Sequence, residues 1–252
     1  MSNLSIVIPV YNEDETCELF VDVLEATVKT PHEVIIVYDS LNDTTIPSIN
    51  NLKKKYNNIY SVFNNEKKGA VNAFKKGLES SKSDIVLLST IDEIFPIIII
   101  DEMYDLINIH DCDMVSGTRY KFGGKRYGGF FIGKNLSRLA NLLFNFITNF
   151  PLSDSTTGFK MFKKKFFEKI KIESRPIGWA FAFEMAIKFS IEGAKFGEVP
   201  LIAVDRVFGG KSTFKGNAKK WTKEYFRWFW WGIKNKNNLK INKIKTIDKY
   251  LT

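Results

Sequence analysis

Leu4-Ser5-Ile6-Val7-Ile8-Pro9-Val10-Tyr11-Asn12-Glu13 opens the chain with a short apolar run that stops at a proline, a tyrosine and an acid. Such a run reads as a buried strand whose C-terminal end carries polar, shape-fixing residues. Open α/β sheets bind their ligands just beyond strand ends of this kind. A binding group is therefore expected by the time the chain reaches Glu13.

Outward from this stretch, two periodicities alternate. Residues 33–39 (EVIIVYD), 59–64, 84–89 (DIVLLS) and 114–119 read as further strands, and residues 14–29, 45–56 and 67–81 as the helices between them. Strands interleaved with helices predict a doubly wound, mostly parallel α/β sheet. Residues 120–129 hold four glycines and three basic residues and read as a mobile loop. Residues 136–147 and 180–192 read as helices, 197–205 as a strand, and 219–234 (KKWTKEYFRWFWWGIK) as a last helix.

The chain has 252 residues, 44% of them hydrophobic, with 22 Phe, enough for a substantial core. Its net charge of +9 is local: residues 211–252 carry 11 Lys and Arg227 against Glu224 and Asp248. A near-neutral body with a basic end suits an anionic surface. In the last helix Trp221, Tyr225, Trp228 and Phe229 share one face, and Lys220, Lys223, Arg227 and Lys234 the opposite one. Aromatics with a basic flank fit a bilayer interface, and the alternative is a helix packed on its own domain. No nucleic-acid motif accompanies the charge, so no nucleic-acid partner is expected. Residues 234–245, rich in Lys and Asn, read as poorly ordered. Cys17 and Cys112 show neither zinc-site spacing nor a disulfide framework. No run of 18 apolar residues exists and no leader precedes the strand at Leu4, so the chain is expected to be cytoplasmic.

Asp39 and Asp92 each follow an apolar strand, and a parallel sheet would bring both to one edge beside Glu13. Clustered carboxylates suit a hard cation such as Mg2+ or Mn2+, which completes its shell with phosphate oxygens. Asp43 reads instead as a cap for the next helix.

These motifs, in this order, resemble a family 2 glycosyltransferase of the GT-A fold, and within it the dolichyl- or polyprenyl-phosphate sugar transferases. The resemblance runs from Ser5 to about Ser212. It implies that Pro9, Tyr11, Glu13, Asp39 and Gly69 hold the base and ribose of a nucleoside-diphosphate sugar. It places Ile91 and Asp92 on the Asp-x-Asp metal motif, with Asp92 as the cation's ligand. Arg119 takes the arginine of a Ser-Arg-Tyr signature, with Thr118 replacing serine. Lys134, Ser137 and Arg138 fall where an acceptor phosphate is met. Arg206 and Lys211 belong to a segment closing over the diphosphate. The departures are Thr90 in place of the first acid of the metal motif, Ile94 where a polar ligand is usual, and Lys211 one place early.

The resemblance implies sugar transfer with inversion to a membrane lipid-linked acceptor, with polyprenyl phosphate the first reading. A hydroxyl acceptor on a cell-surface polysaccharide is the second, and would need a general base, for which Asp154 is the candidate. The alternative role for Asp154 is to order the turn at residues 155–158. A sugar-nucleotide-binding homologue without turnover is the third reading. The expected organisation is a catalytic domain over residues 1–212 and a basic, aromatic tail over 213–252. That tail, with residues 136–147, would hold the protein peripherally on the inner face of a membrane.

Overall fold

Period-two alternation in the first strand sorts its side chains onto two faces, and the fold is built on that division. The structure is a computed structural model that describes residues 3–128, 131–176, 178–204 and 218–246, the side chains of 131–134 and 218–219 excepted. The elements run β1 (Leu4–Pro9), α1 (Asp14–Thr27), β2 (His32–Tyr38), α2 (Ile46–Lys55), β3 (Ile59–Phe63), α3 (Ala70–Ser80), β4 (Ile85–Leu88) and α4 (Ile100–Asn108). They continue β5 (Met114–Thr118), β6 (Lys125–Tyr127), α5 (Phe131–Thr148), β7 (Lys160–Lys163), α6 (Lys164–Phe167), α7 (Ala180–Ile191), β8 (Phe196–Pro200), β9 (Ile202–Val204) and α8 (Ala218–Lys234).

The main sheet has the order β3-β2-β1-β4-β7-β5-β8. All neighbours are parallel except β7, which runs antiparallel to β4 and β5. Ile6, Ile8, Val34 and Ile36 join α1, α2 and α4 in one core layer. Val7, Ile35 and Val37 face the other layer, with Phe74, Phe162, Phe181 and Trp228. Helix α3 lies on this second face through Gly77. A Cβ there would collide with Val7 Cγ1 and lie 2.8 Å from Val37 Cγ2, so close approach outweighs the roughly 1 kcal/mol that glycine costs a helix interior.

The mostly parallel sheet expected from the sequence is present, and three local expectations are corrected. The span 120–129 is not only loop: Lys125–Tyr127 pairs with Ile202–Val204 in a second, two-stranded sheet. The strand expected over 197–205 divides at Leu201, whose N–H turns to the carbonyl of Thr118. Residues 234–245 are docked rather than loose. Leu239 is buried, and Lys245 forms a parallel bridge to Gly197, covering the open edge of β8.

The aromatic face of α8 is the largest difference. Helix α7 is buried along every residue from Ala180 to Ser190, so it needs a layer of protein on its outer side. Helix α8 provides that layer: Trp228 is buried, Phe229 packs on Phe144 at 5.6 Å, and Tyr225 and Trp231 join the same core. The face expected to meet a bilayer is thus spent inside the protein, and 218–246 pack on the body rather than stand apart from it. Among the described residues no helix is long and apolar enough to cross a membrane. Trp228→Ala should lower unfolding free energy by about 3–5 kcal/mol, read from the urea midpoint. A loss below about 1 kcal/mol would mean that α8 is not part of the core.

Candidate active site

The parallel register of β1 with β2 and β4 brings the C-terminal ends of these strands to one edge. There the loop after β1 is held by short polar side chains. Asn12 takes a left-handed φ of 54°, which asparagine tolerates better than most residues. The buried Asp43 carboxylate accepts from the Asn12 N–H at 3.0 Å and from the Thr45 N–H and hydroxyl at 2.9 and 2.6 Å. Thr45 Oγ1 in turn accepts from the Glu13 N–H at 2.9 Å. Asp43 is thus structural, but as a knot between two loops rather than as a simple helix cap. The knot leaves Tyr11 on the crest with half of its surface in solvent (52%).

Asp39 is fixed differently. Its Oδ2 accepts the Gly69 N–H at 2.7 Å, just before α3 begins. Gly69 has φ +110°, and a Cβ there would also lie 3.0 Å from Pro176 Cβ and from its carbonyl oxygen. Only glycine meets both demands. Asp39 and Gly69, which the resemblance assigns to one pocket, are therefore in direct contact.

Beyond β4, Ile91 is buried in the first core layer, so any ligand contact it makes comes through its backbone. Asp92 and Glu93 follow, half-buried, and Glu93 lies near enough to Arg119 to favour its charged form. Among the described residues no group of three or more His, Cys, Asp or Glu is arranged to hold a metal. A cage built from the protein alone is therefore not formed by them. A Mg2+- or Mn2+-type site, with one acid and substrate phosphates, fits this donor set.

Arg119, just past β5, is the centre of the polar network. Its Nε and Nη2 donate to the two oxygens of Asp154 at 2.6 and 2.9 Å, and its backbone N–H adds a third bond at 3.2 Å. Thr156 Oγ1 also donates to Asp154 Oδ1 at 3.1 Å. Burial alone would raise the Asp154 carboxyl, but the Arg119 guanidinium outweighs it and holds the group below the usual carboxylate range. Burial would likewise lower Arg119, and Asp154 reverses that and raises it. Both Asp154 oxygens are thus engaged, and the carboxylate ties Arg119 to the turn at residues 154–156.

Two further buried groups brace this pair. Glu198 accepts the Ser153 N–H at 2.6 Å and the Asp154 N–H at 3.2 Å, and pairs with Lys121 at 3.1 Å. Lys160 is fully buried and donates to Ser116 Oγ at 2.9 Å. Burial pushes its amine down to about 7, against the pull of Asp154 and Glu198.

Ser137 on α5 meets this network: Tyr120 Oη donates to Ser137 Oγ at 2.9 Å, and Thr156 Oγ1 lies 3.3 Å from it. Asn141, one turn on, receives the Ser155 N–H and hydroxyl at 2.9 and 2.7 Å. Arg138 is exposed beside them. The side chain of Lys134, and Arg206 and Lys211 altogether, lie outside the described residues. Sequence reasoning missed Asn141 and Glu198. The signals were an amide inside an apolar helical run (LANLLF) and an acid inside a strand (FGEVP).

Residues 5–171 match the model of Glycosyl transferase family 2, and the chain belongs to that family. It is 27% identical over 222 residues to the dolichol-phosphate mannosyltransferase of Pyrococcus furiosus, covering 85% of this chain and 60% of that protein. It is 23% identical over 239 residues to the polyprenol monophosphomannose synthase of Mycolicibacterium smegmatis, covering 92% and 87%. Among solved structures it resembles the mannosyltransferase PcManGT of Pyrobaculum calidifontis in complex with GDP-Man and Mn2+. That TM-score is 0.67, at 15% identity, with 92% of this chain and 64% of the other covered. Glucosyl-3-phosphoglycerate synthase of Mycobacterium tuberculosis, in complex with Mn2+, UDP and glucosyl-3-phosphoglycerate, gives 0.64 at 16% identity, with 92% and 80% covered. These likenesses confirm the GT-A fold.

Lys160 supplies a pH test of the buried network. Its folded pKa lies below the unfolded value of about 10.4, so the unfolded chain binds more protons between the two, and stability rises with pH through that window. Lys160→Met removes this dependence. Its stability relative to wild type should therefore be highest near pH 7 and fall towards pH 9, by up to about 1 kcal/mol per pH unit, in paired urea titrations. A pH-independent difference would mean that Lys160 stays charged in the fold.

Proposed function

We propose that the chain is an inverting glycosyltransferase that moves a sugar from a nucleoside-diphosphate sugar to a membrane lipid phosphate of the polyprenyl class. The observation that supports this acceptor most is the full engagement of Asp154 by Arg119. A hydroxyl acceptor would need a base near the reacting centre, and the one candidate the sequence offered is consumed. A lipid phosphate is already an anion and attacks without one.

In this reading Pro9, Tyr11, Glu13, Asp39 and Gly69 bind the base and ribose at the strand edge. Asp92 would hold Mg2+ or Mn2+ against the diphosphate, where the chemistry supplied is Lewis-acid neutralisation of the leaving group. Arg119 is pre-aimed by a buried partner, so a charge-assisted hydrogen bond from it to a phosphate costs little reorganisation. Lys134, Ser137 and Arg138 would receive the acceptor phosphate, and Arg206 and Lys211 would close over the donor.

Of the two segments expected at the membrane, residues 136–147 keep an exposed apolar face, while the aromatic face of α8 does not. Helix α5 exposes Leu139, Leu142, Leu143 and Phe146 at i, i+3, i+4 and i+7, Phe146 by 85%. Helix α8 adds exposed Phe226 and Trp230 beside exposed Lys220, Lys223 and Arg227. An apolar face with a basic flank, on the helix that carries Ser137, would seat the acceptor site at headgroup level. Phe146→Asp combined with Leu142→Asp should abolish flotation with anionic vesicles and leave the thermal midpoint within a few degrees. Unchanged flotation would remove this face from the account.

Thr90, in place of an acid, favours a second reading: a homologue that binds sugar nucleotides without turnover. One assay separates the two. Polyprenyl phosphate is incubated with guanosine, uridine or thymidine diphosphate sugars and Mn2+, and lipid-phosphate sugar is sought by mass spectrometry. The proposal expects product with one donor class, and a loss of at least about 100-fold in Asp92→Ala, typical of removing one transition-state charge stabiliser. Donor binding without product on any acceptor would establish the second reading.

A further inference from the structure

Residues 173–176 (ESRP) cross from α6 towards α7 beside the Asp39–Gly69 contact, and they are held by two helices at once. Glu184, fully buried on α7, accepts the N–H groups of Glu173 and Ser174 at 2.7 and 2.8 Å. Glu224, buried on α8, accepts the Arg175 N–H at 3.1 Å and is paired with Arg227 at 2.8 Å. The next residue is Pro176, which has no N–H. Three consecutive backbone donors are thus taken by buried carboxylates, the strongest class of backbone anchor. Lys188 adds bonds to Glu173 and Glu184, both at 2.7 Å.

This strap touches the donor end of the site. Pro176 is the residue that a side chain at Gly69 would strike, while Gly69 itself donates to Asp39. Proline also biases the preceding residue towards extended backbone, which narrows the main-chain freedom of Arg175. Its side chain is exposed and makes no ion pair with the described residues. Arg175 thus sits on a held backbone one residue before the proline that stands against Gly69, and a guanidinium has the chemistry to meet a diphosphate. Lys67 and Lys68, exposed immediately before Gly69, add the same sign of charge.

We infer that Arg175 is an additional contact to the diphosphate of the donor nucleotide, and that Glu224 on α8 is the positioning residue that sets it there. The inference rests on the reading of Asp39 and Gly69 as the nucleotide end of the site. It makes α8, through Glu224, part of the donor pocket as well as of the core. Loss of this helix would then weaken donor binding without touching a residue at the reaction centre.

The test measures binding of GDP and UDP with Mn2+, and of guanosine and uridine, by calorimetry on the full chain. Arg175 is exposed, so Arg175→Ala should fold normally. It should weaken the preferred nucleoside diphosphate about 10-fold and leave the nucleoside within twofold. Glu224→Ala should act in the same direction, and Glu224→Gln, which keeps a carbonyl acceptor, should restore binding. In the Arg175→Ala background Glu224→Ala should add nothing, whereas a merely structural role would be additive. Unchanged diphosphate binding in Arg175→Ala, with binding lost in Asp39→Ala, overturns the inference and leaves the donor site standing. Equal weakening of nucleoside and diphosphate also overturns it, because the contact would then be to the base. Unchanged binding in both variants removes the donor-site reading and the inference together.

Discussion

The Arg119–Asp154 pair is the interaction on which the rest of the site depends. Neither partner is tolerable alone in its surroundings: Asp154 is fully buried, and Arg119 is nearly so. Removing one partner of such a pair leaves an uncompensated buried charge, which costs several kcal/mol. The chain therefore invests backbone geometry in the pair. Antiparallel β7 brings the 153–159 loop beside the end of β5. Glu198 on β8 holds the loop's N–H groups, and Asn141 on α5 holds Ser155. One ion pair thus ties three strands and the apolar helix into a single unit.

That pairing has a chemical consequence. In the proposed reading, a fixed cation beside an engaged Asp154 suits attack by an acceptor that is already ionised. It also suits a leaving group whose developing charge needs a partner. The surrounding architecture divides the remaining work. The knot around Asp43 and the Asp39–Gly69 bond shape the end proposed to hold the nucleotide. The outer face of α5 is the one proposed to meet a lipid-linked acceptor.

The parallel sheet was legible because short apolar runs alternating with helical periods are local signals. β1, β2 and β4 are runs of Ile, Leu and Val ending in Pro9, Asp39 and Ser89-Thr90, and no tertiary knowledge is needed to place them. Asp43 was readable as structural for the same reason. The destination of α8 was not legible. Its wheel pattern is the same whether the aromatic face meets a bilayer or another helix, and only the burial of α7 on all sides decides between them. Asp154 was half legible: its role in ordering a turn was readable, its arginine partner was not. An acid before a turn looks available, and the arginine that occupies it lies 35 residues away in sequence. Lys245 covering the edge of β8 had no local signal either, since a Lys/Asn-rich segment has the composition of a disordered one.

The pH profile of kcat/KM with polyprenyl phosphate as acceptor tests the central claim most directly. Attack by an ionised phosphate with no protein base predicts one inflection at about pH 6, where a phosphate monoester takes its second charge, and a plateau above pH 7. A further rising limb above pH 7, retained in Lys160→Met, would reveal a protein base and contradict the account.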